Sequence, residues 1–169
     1  MAFVVEDGTG LANANSYVDT TYADSYFSDR GNTAWAALGT PAKQAALVQA
    51  TDFVEKNFYF VGWKRSQAQA LEWPRYDAFD KDGRIVTIVP DKLKKGVCEY
   101  ALRAASATLQ PDPTTDLVGL VASKFEQVGP IKEKTDYVKG ASPNAVPSYP
   151  AADALFKEFV VRFRGFDRA

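Results

Sequence analysis

Apolar side chains recur at three- and four-residue steps along several stretches of this chain, and that spacing predicts amphipathic helices. The stretch TYADSYFSDRG is the first: Tyr22, Tyr26 and Phe27 share one helical face, and Gly31 is a suitable helix stop. A short apolar strand and a Gly/Asn-rich turn come before it, in FVVEDGTGLANAN. The N-terminal part is therefore predicted to be a strand and a turn followed by a helix.

Two longer helices are predicted further along the chain. Thr40 can cap the first, with Pro41 in its first turn, and Pro90 begins the second. Pro111 and Pro113 end the second helix, because proline cannot continue the hydrogen-bond ladder. The predicted core positions are Leu47, Ala50, Phe53, Val54 and Phe58 on the first helix, and Leu93, Val97, Tyr100, Ala101, Ala104 and Thr108 on the second.

The helical period is lost elsewhere. Residues 59–89 carry Pro74 and the turn-forming sequence DKDG, which indicate an irregular or hairpin connection. Residues 117–138 are predicted to form a β-hairpin with Gly129-Pro130 in the turn. The stretch GASPNAVPSYP is predicted to be a linker before a last helix that runs into VVRFRGFDRA.

The predicted fold class is thus mainly α: a small helical bundle with a β-hairpin and an extended C-terminal tail. Residues 1–140 form the helical core with the hairpin, and residues 141–169 form the linker, the final helix and the tail.

Composition places the chain among ordinary globular proteins, because 46% of its 169 residues are hydrophobic and 24% are charged. No apolar run approaches the roughly 18 to 20 residues that span a bilayer, and MAFVVEDGTG lacks a signal-peptide pattern. We therefore expect a single domain that is made in a cytoplasm and has no membrane partner. The single cysteine, Cys98, is predicted to be a small core residue.

The chain contains no histidine, and this excludes most small-hydrolase mechanisms. Neither a Ser-His-Asp triad nor an imidazole metal site can be built without it. No catalytic residue, cofactor-binding residue or metal site is predicted, so we expect a protein that is not an enzyme and needs no cofactor. The formal net charge of −1 argues against a general nucleic-acid binder, although a local basic patch stays open.

Two glycine-containing stretches imitate ligand-binding loops. Residues 8–10, Gly-Thr-Gly, resemble the start of a dinucleotide-binding loop, but Asn13 stands where the third glycine belongs. Residues 80–83 imitate part of a calcium loop, but Ala78 and Val89 occupy its first and twelfth positions. Both stretches are better explained as turns.

One aromatic and basic cluster has two interpretations. Tyr59, Phe60, Trp63, Lys64 and Arg65 interleave rings with cations, as a stacking surface for single-stranded bases does. The alternative, which we favour, is a loop that packs its rings on the core and leaves its charges in water.

Carboxylate pairs leave a second enzyme class open. Glu55 with Asp52, or Glu72 with Asp77, could in principle perform acid–base chemistry of the glycosidase kind. A small carboxylate-based hydrolase would need an acid whose pKa is raised in a cleft. Most carboxylates are simply solvated, so this function ranks last.

Several segments together resemble one family. They are VEDGTGLANANSYV, the helix ending in DRGN with Trp35 beyond it, ALVQATDFV, QALEWPR, VGPIKEK and YPAADALFK. The chain resembles the head-to-tail adaptor, or head-completion, proteins of tailed phages, whose members are often labelled DnaT-like single-stranded-DNA-binding proteins. The most specific pieces are DGTG with NSY, and QALEWPR, and neither is a catalytic signature.

The resemblance implies a structural virion protein in the neck, made in the host cytoplasm. Its subunits would form a dodecameric ring beneath the portal and give tail components a platform. The implied partners are other copies of the chain, the portal protein, a tail, stopper or terminator protein, and genomic DNA that passes through the channel without sequence-specific binding. A single-stranded-DNA-binding protein is the alternative function.

Two sets of site residues are predicted. Trp73, Leu71 and Pro74 are expected to be structural, because a large ring followed by a φ-restricted residue can pin an irregular segment over helices. The C-terminal tail alternates aromatic and basic side chains, which are common interface anchors, and is expected to dock on the portal. Its candidate docking residues are Phe159, Arg162, Phe163, Arg164, Phe166 and Arg168. Packing of this tail on its own domain is the alternative.

Overall fold

The computed structural model describes residues 2–110, 122–128, 131–137 and 149–163. Within these residues the chain is mainly helical, which confirms the predicted fold class. The α-helices are α1 (Thr20–Ser28), α2 (Thr33–Ala36), α3 (Thr40–Asn57), α4 (Asp91–Ala104) and α5 (Pro150–Phe156). A 3₁₀ turn, Lys157–Phe159, follows α5. None of the helices in the described ranges is long and apolar enough to cross a membrane.

Local capping explains where the first helices begin. The Asp19 carboxylate accepts a hydrogen bond from the Tyr22 amide at 2.7 Å, and the Asn32 side chain accepts one from the Trp35 amide at 3.0 Å. Gly31, at φ +62°, reverses the chain between α1 and α2, as its predicted role as a stop requires.

Two predicted helix boundaries were wrong. The N-cap of α3 is Gly39 and not Thr40, which is already the first helical residue, beside Pro41. Helix α4 ends at Ala104, so Thr108 lies beyond it and is exposed, because the chain leaves the helix before the prolines are reached. Phe58 is buried as predicted, but it lies in a strand rather than on α3.

The core forms where α3, α4 and α5 pack together. Phe53 contacts Tyr100 with ring centroids 4.9 Å apart, and Phe58 meets Phe156 edge to face, also at 4.9 Å. Gly96 lets α4 and α5 approach closely, since a Cβ atom there would lie 2.4 Å from the Phe156 ring. Cys98, predicted to be a small core residue, is fully buried, and burial raises the pKa of its thiol far above the usual value. Ala104, also predicted to lie in the core, is only partly buried at the end of α4.

Three short antiparallel strand pairs complete the described structure. Strand β1 (Phe58–Phe60) pairs with β6 (Val160–Phe163), and β2 (Trp63–Lys64) pairs with β3 (Arg75–Tyr76). Strands β4 (Ala122–Val128) and β5 (Ile131–Tyr137) form the predicted hairpin, whose turn residues lie outside the described residues. The hairpin belongs to a separate unit, residues 110–147, whereas residues 1–109 and 148–169 form the helical unit.

Candidate functional site

Two exposed aromatic side chains lie opposite each other on β2 and β3. Trp63 is 58% exposed and Tyr76 is 45% exposed, and the two residues are cross-strand partners. Opposed positions of an antiparallel pair bring their side chains to the same face, so the two rings form one surface, here called the aromatic ledge. The exposure of such large rings marks a candidate contact site.

The structure divides the predicted aromatic and basic cluster. Trp63 is exposed, and so is Tyr59 at 42%, whereas Phe60 is buried with its ring 6.0 Å from that of Trp73. The favoured interpretation, that these rings pack on the core, is therefore correct for Phe60 and wrong for Tyr59 and Trp63. Tyr76 was missed because only the pairing of β2 with β3 brings it beside Trp63.

The cations next to the ledge are already engaged by the protein. The Lys64 ammonium lies 3.3 Å from the Glu72 carboxylate, and Arg65 donates a hydrogen bond to the Gly8 carbonyl at 2.9 Å. The Arg65 side chain nevertheless belongs to an exposed residue, so its remaining N–H groups face a surface that solvent can reach. The ledge is therefore mainly aromatic and carries little free positive charge.

Arg75 fixes the turn that leads into Trp63. Its guanidinium is almost fully buried and donates to the carbonyls of Val61 at 2.7 Å and Gly62 at 2.6 Å. It also pairs with the Glu72 carboxylate at 2.5 Å. A buried guanidinium is tolerated when it is paired and fully hydrogen-bonded, as it is here. Arg75 thus holds the 60–62 backbone against β3.

Gly62 is required by the same turn. It adopts φ +71°, and a Cβ atom at this position would lie 2.0 Å from the Tyr76 carbonyl oxygen. Only glycine combines this backbone conformation with so close an approach. The orientation of the aromatic ledge is consequently set by backbone contacts and not by the rings themselves.

The motif QALEWPR supports the ledge from beneath. Trp73 is fully buried, with its ring edge to face against Phe159 at 5.6 Å, and Leu71 and Pro74 are buried as well. The Gln69 amide donates to the carbonyls of Leu71 and Pro74, at 2.7 and 3.1 Å. Among the described residues the Trp73 indole Nε1 has no hydrogen-bond partner. The three residues predicted to be structural therefore all lie in the interior.

A partly buried carboxyl, Glu55 on α3, connects this motif to the helical core. It accepts hydrogen bonds from the Tyr17 hydroxyl and, at 2.9 Å, from the Glu72 amide. Tyr17 in turn accepts one from the Trp73 amide at 3.1 Å. Burial, with a further contribution from the nearby Glu72 charge, raises the pKa of Glu55 to about 7, although the hydrogen bond from Tyr17 opposes the rise.

The predicted carboxylate pairs do not form. Asp52 is exposed, and Glu55 meets Tyr17 and Glu72 instead. Glu72 pairs with Lys64 and Arg75 rather than with Asp77. The acid with the raised pKa exists, but its oxygens are occupied by protein donors. Two surface cavities in the described part of the chain have volumes of about 430 and 320 Å³, and neither is lined by any of these four carboxyl residues.

The glycine-rich segment near the N-terminus forms a turn around its own carboxylate. Glu6 is buried and accepts hydrogen bonds from the amides of Gly8, Gly10 and Leu11, at 2.8 to 2.9 Å. These are the amides with which a dinucleotide-binding loop would hold phosphate, so the turn interpretation is correct. The Ala70 amide donates to the Leu11 carbonyl at 2.9 Å, which joins this turn to the QALEWPR segment.

The acidic stretch 80–83 is also a turn. The Asp80 carboxylate accepts from the amides of Asp82 and Arg84, at 2.9 and 2.8 Å, and these bonds lower the pKa of Asp80. Phe79 and Ile85 form an isolated antiparallel bridge at its base. This turn carries further exposed apolar side chains, with Phe79 43% and Ile85 65% exposed.

The residues predicted to dock on a partner lie in different parts of the structure. Phe159 is 3% exposed and packs against Trp73, so its ring is used inside the domain and is not available to a partner. Arg162 and Phe163 lie in β6, opposite Tyr59 and Phe58. Arg164, Phe166 and Arg168 lie outside the described residues. The beginning of the predicted tail is therefore part of the fold, because its backbone pairs with β1.

Comparison with known proteins returns one family. A family model described as "Putative DnaT-like ssDNA binding protein" matches residues 1–168. No curated protein and no solved structure matches the chain.

Proposed function

Because this chain belongs to the DnaT-like ssDNA binding family, we propose that it is a non-catalytic protein that binds single-stranded DNA on the aromatic ledge. The observation that carries the proposal is the pair of exposed rings, Trp63 and Tyr76, on opposed strand positions. Proteins that bind single strands without sequence preference stack bases on such rings, each stacked base contributing about 1 to 3 kcal/mol.

The residues that fix the β2–β3 backbone favour base stacking on the ledge. Arg75 and Gly62 hold the two strands in one geometry, so the rings lose little freedom when a base stacks on them. Arg65, exposed at the end of β2, is the cation best placed to contact a phosphate. Lys64 contributes less, since Glu72 already neutralises it.

The test is the affinity of the purified protein for a fluorescent oligothymidine of about 20 nucleotides at low and moderate salt. We expect salt-dependent binding, preference over a duplex of equal length, and roughly 5- to 100-fold weaker binding by Trp63→Ala or Tyr76→Ala. Phe79→Ala, which removes an exposed ring from the neighbouring turn, is the matched control and should bind nearly normally. An absence of binding at low salt, or equal loss in all three variants, would reject this function.

A second function, the head-to-tail adaptor of a phage neck, is favoured by a different observation. The cations beside the ledge are internally engaged, while Phe79, Ile85 and Ile88 expose apolar surface on the adjoining segment, with Ile88 60% exposed. Apolar and aromatic surface without excess positive charge fits protein partners better than DNA. The partners would be further copies of the chain in a ring, the portal and a tail component.

Electron microscopy of the protein mixed with portal rings tests this second function. A ring of subunits added to the portal, together with no oligonucleotide binding, would establish the adaptor in place of the DNA-binding protein. Portal rings that remain bare at high protein concentration would reject it.

A further inference from the structure

The carboxyl of Glu55 is connected to the aromatic ledge through Glu72, whose amide and carboxylate make separate contacts. Glu55 accepts from the Glu72 amide, and the Glu72 carboxylate pairs with Lys64 at 3.3 Å and with Arg75 at 2.5 Å. Lys64 and Arg75 face each other across β2 and β3, and this cross-strand pair, or rung, is next to the pair formed by Trp63 and Tyr76. A change at Glu55 therefore acts on the rung that supports the ledge.

Three packed segments bring titratable or charged groups to Glu55. The segment before α1 contributes Tyr17, whose hydroxyl donates to the carboxyl. The QALEWPR segment contributes Glu72, whose charge disfavours ionisation of Glu55, and β2 contributes Lys64, whose charge favours it. Arg75 reaches the group only through Glu72. Two carboxyl groups, both partly buried, thus lie near the same cation, Lys64.

We propose that Glu55 is a proton-operated regulator of the aromatic ledge, which is held most firmly when Glu55 is neutral and is loosened when Glu55 ionises beside Glu72. Ionisation adds a second negative charge to a site where Glu72 already holds Lys64 and Arg75. A charged Glu55 accepts the hydrogen bonds from Tyr17 and from the Glu72 amide more strongly. It also repels the Glu72 carboxylate and competes with it for Lys64, and this displaces the Lys64–Arg75 cross-strand pair next to Trp63 and Tyr76.

The surroundings of Glu55 place this transition near neutral pH. The chain has no histidine, so the side chain that would ordinarily titrate between pH 5 and 8 is absent. Burial raises the pKa of Glu55 to about 7, which lies within this pH range. The carboxylates with a lowered pKa, among them Asp7, Asp24 and Asp91, titrate well below it. Among the described carboxyl side chains, Glu55 is therefore the one whose raised pKa lies near 7.

The main test uses the free protein and needs no ligand. The indole ¹H–¹⁵N signals of the three tryptophans are followed by NMR from pH 5.5 to 8.5 in the parent protein, Glu55→Gln and Tyr17→Phe. We expect the Trp63 signal, assigned with Trp63→Phe, to titrate near pH 7 in the parent and to stay constant in Glu55→Gln. Tyr17→Phe should move the midpoint upward, because it removes a hydrogen bond that lowers the pKa of Glu55.

Trp35 is the internal control. Its indole donates to Asp24 at 2.7 Å, and the pKa of Asp24 is lowered, so its signal should not change in this pH range. A Trp63 signal that does not titrate in the parent, or that titrates equally in Glu55→Gln, overturns the inference.

The second measurement, which rests on the proposed function, is oligothymidine affinity at pH 6 and pH 8. We expect the parent to bind about three- to tenfold more tightly at pH 6, as for a shift of roughly half to one pKa unit on binding, and Glu55→Gln to show much less change. If no oligonucleotide binds at either pH while Trp63 still titrates, the proposed function fails and the regulator stands. If DNA binds with the same pH dependence in both proteins, the regulator fails and the function stands.

Discussion

Trp63 and Trp73 show how two residues of the same type acquire different roles within one short stretch. Trp63 is 58% exposed on β2, whereas Trp73 is fully buried between Phe60 and Phe159. Burial of a tryptophan ring is a large stabilising contribution, and exposure leaves the ring available to a ligand. The first ring belongs to the candidate site and the second to its support.

This difference predicts opposite outcomes for matched substitutions. Trp73→Ala should lower the free energy of unfolding by about 3 to 5 kcal/mol, because it leaves a cavity in the core. Trp63→Ala should change it by less than about 1 kcal/mol, as is usual for exposed positions. Urea denaturation of the two variants measures both values. Equal losses of stability would show that Trp63 also serves the core.

Glu55 predicts how stability depends on pH. The folded protein raises the pKa of this acid from 4.5 to about 7, so the native state binds the proton more tightly than the unfolded chain does. The resulting stabilisation is complete below about pH 4.5 and is lost as the pH rises through 7. We expect the parent to lose up to about 3 kcal/mol relative to Glu55→Gln between pH 4.5 and 8.

Chemical denaturation of the parent and of Glu55→Gln at several pH values provides that comparison. The difference between the two proteins, and not the absolute curve, is informative, since other acids contribute equally to both. A difference that stays constant across this range would mean that Glu55 titrates normally.

At the scale of the element, the turn between β1 and β2 is the part that sequence patterns describe least well. Gly62 and Gly83 both have positive φ, at +71° and +76°, but only Gly62 lies against another strand. A Cβ atom at Gly62 would overlap the Tyr76 carbonyl, whereas none of the described atoms lies within 4 Å of the one at Gly83. A side chain at Gly83 would meet backbone strain alone, whereas one at Gly62 would meet both backbone strain and a steric clash.

Gly62→Ala should therefore be far more damaging than Gly83→Ala. We expect a loss of about 3 kcal/mol or more for Gly62→Ala, because strain and overpacking act together, and about 1 kcal/mol for Gly83→Ala, where strain acts alone. Thermal denaturation gives the stabilities, and oligothymidine binding shows whether the ledge is displaced. Similar losses in both variants would mean that β2 can move away from β3 at little cost.

At the scale of the whole molecule, the C-terminal segment is partly a structural strand. Strand β6 pairs with β1, and the Val61 amide donates to the Phe159 carbonyl at 2.9 Å. The docking role of Arg164, Phe166 and Arg168 stays a prediction, because these residues lie outside the described ones. Phe159 packs in the core, and the backbone of Arg162 and Phe163 belongs to β6. Two truncations can distinguish these contributions.

A chain that ends at Phe159 should melt at least about 4 °C lower than the full chain, since the loss of the β1–β6 pairing removes on the order of 1 to 2 kcal/mol. A chain that ends at Phe163 should keep its melting temperature. If the adaptor function holds, the longer truncated chain should nevertheless fail to join portal rings, because it lacks Arg164, Phe166 and Arg168. Normal docking by that chain would remove these residues from the interface.

The sequence by itself determined the helices, their apolar faces and the hairpin. Their hydrophobic periods, proline boundaries and turn residues are local signals, and the structure reproduces α1, α3, α4 and α5 with shifts at Thr40 and Thr108. Helix α2 was not predicted, and the predicted N-terminal strand is reduced to one bridge between Val5 and Ser16. The last helix was predicted to continue into VVRFRGFDRA, but it ends at Phe156 and strand β6 follows. The sequence also indicated that Trp73 is structural and that the 8–10 and 80–83 stretches are turns. These conclusions depend on residues close together in the chain, where conformational preference acts directly.

Only the tertiary structure decided what the aromatic and acidic residues do. Strands of two residues have no readable period, so the pairing of Trp63 with Tyr76 follows from long-range contacts that fix the register. The partners of Glu55 come from two distant segments, and its raised pKa depends on the burial that they create. Phe159 was predicted to dock on a partner because its sequence neighbours are basic, but α5 and the 3₁₀ turn deliver its ring to Trp73. Exposure, register and ionisation are properties of the assembled chain, because each depends on atoms that folding alone brings together.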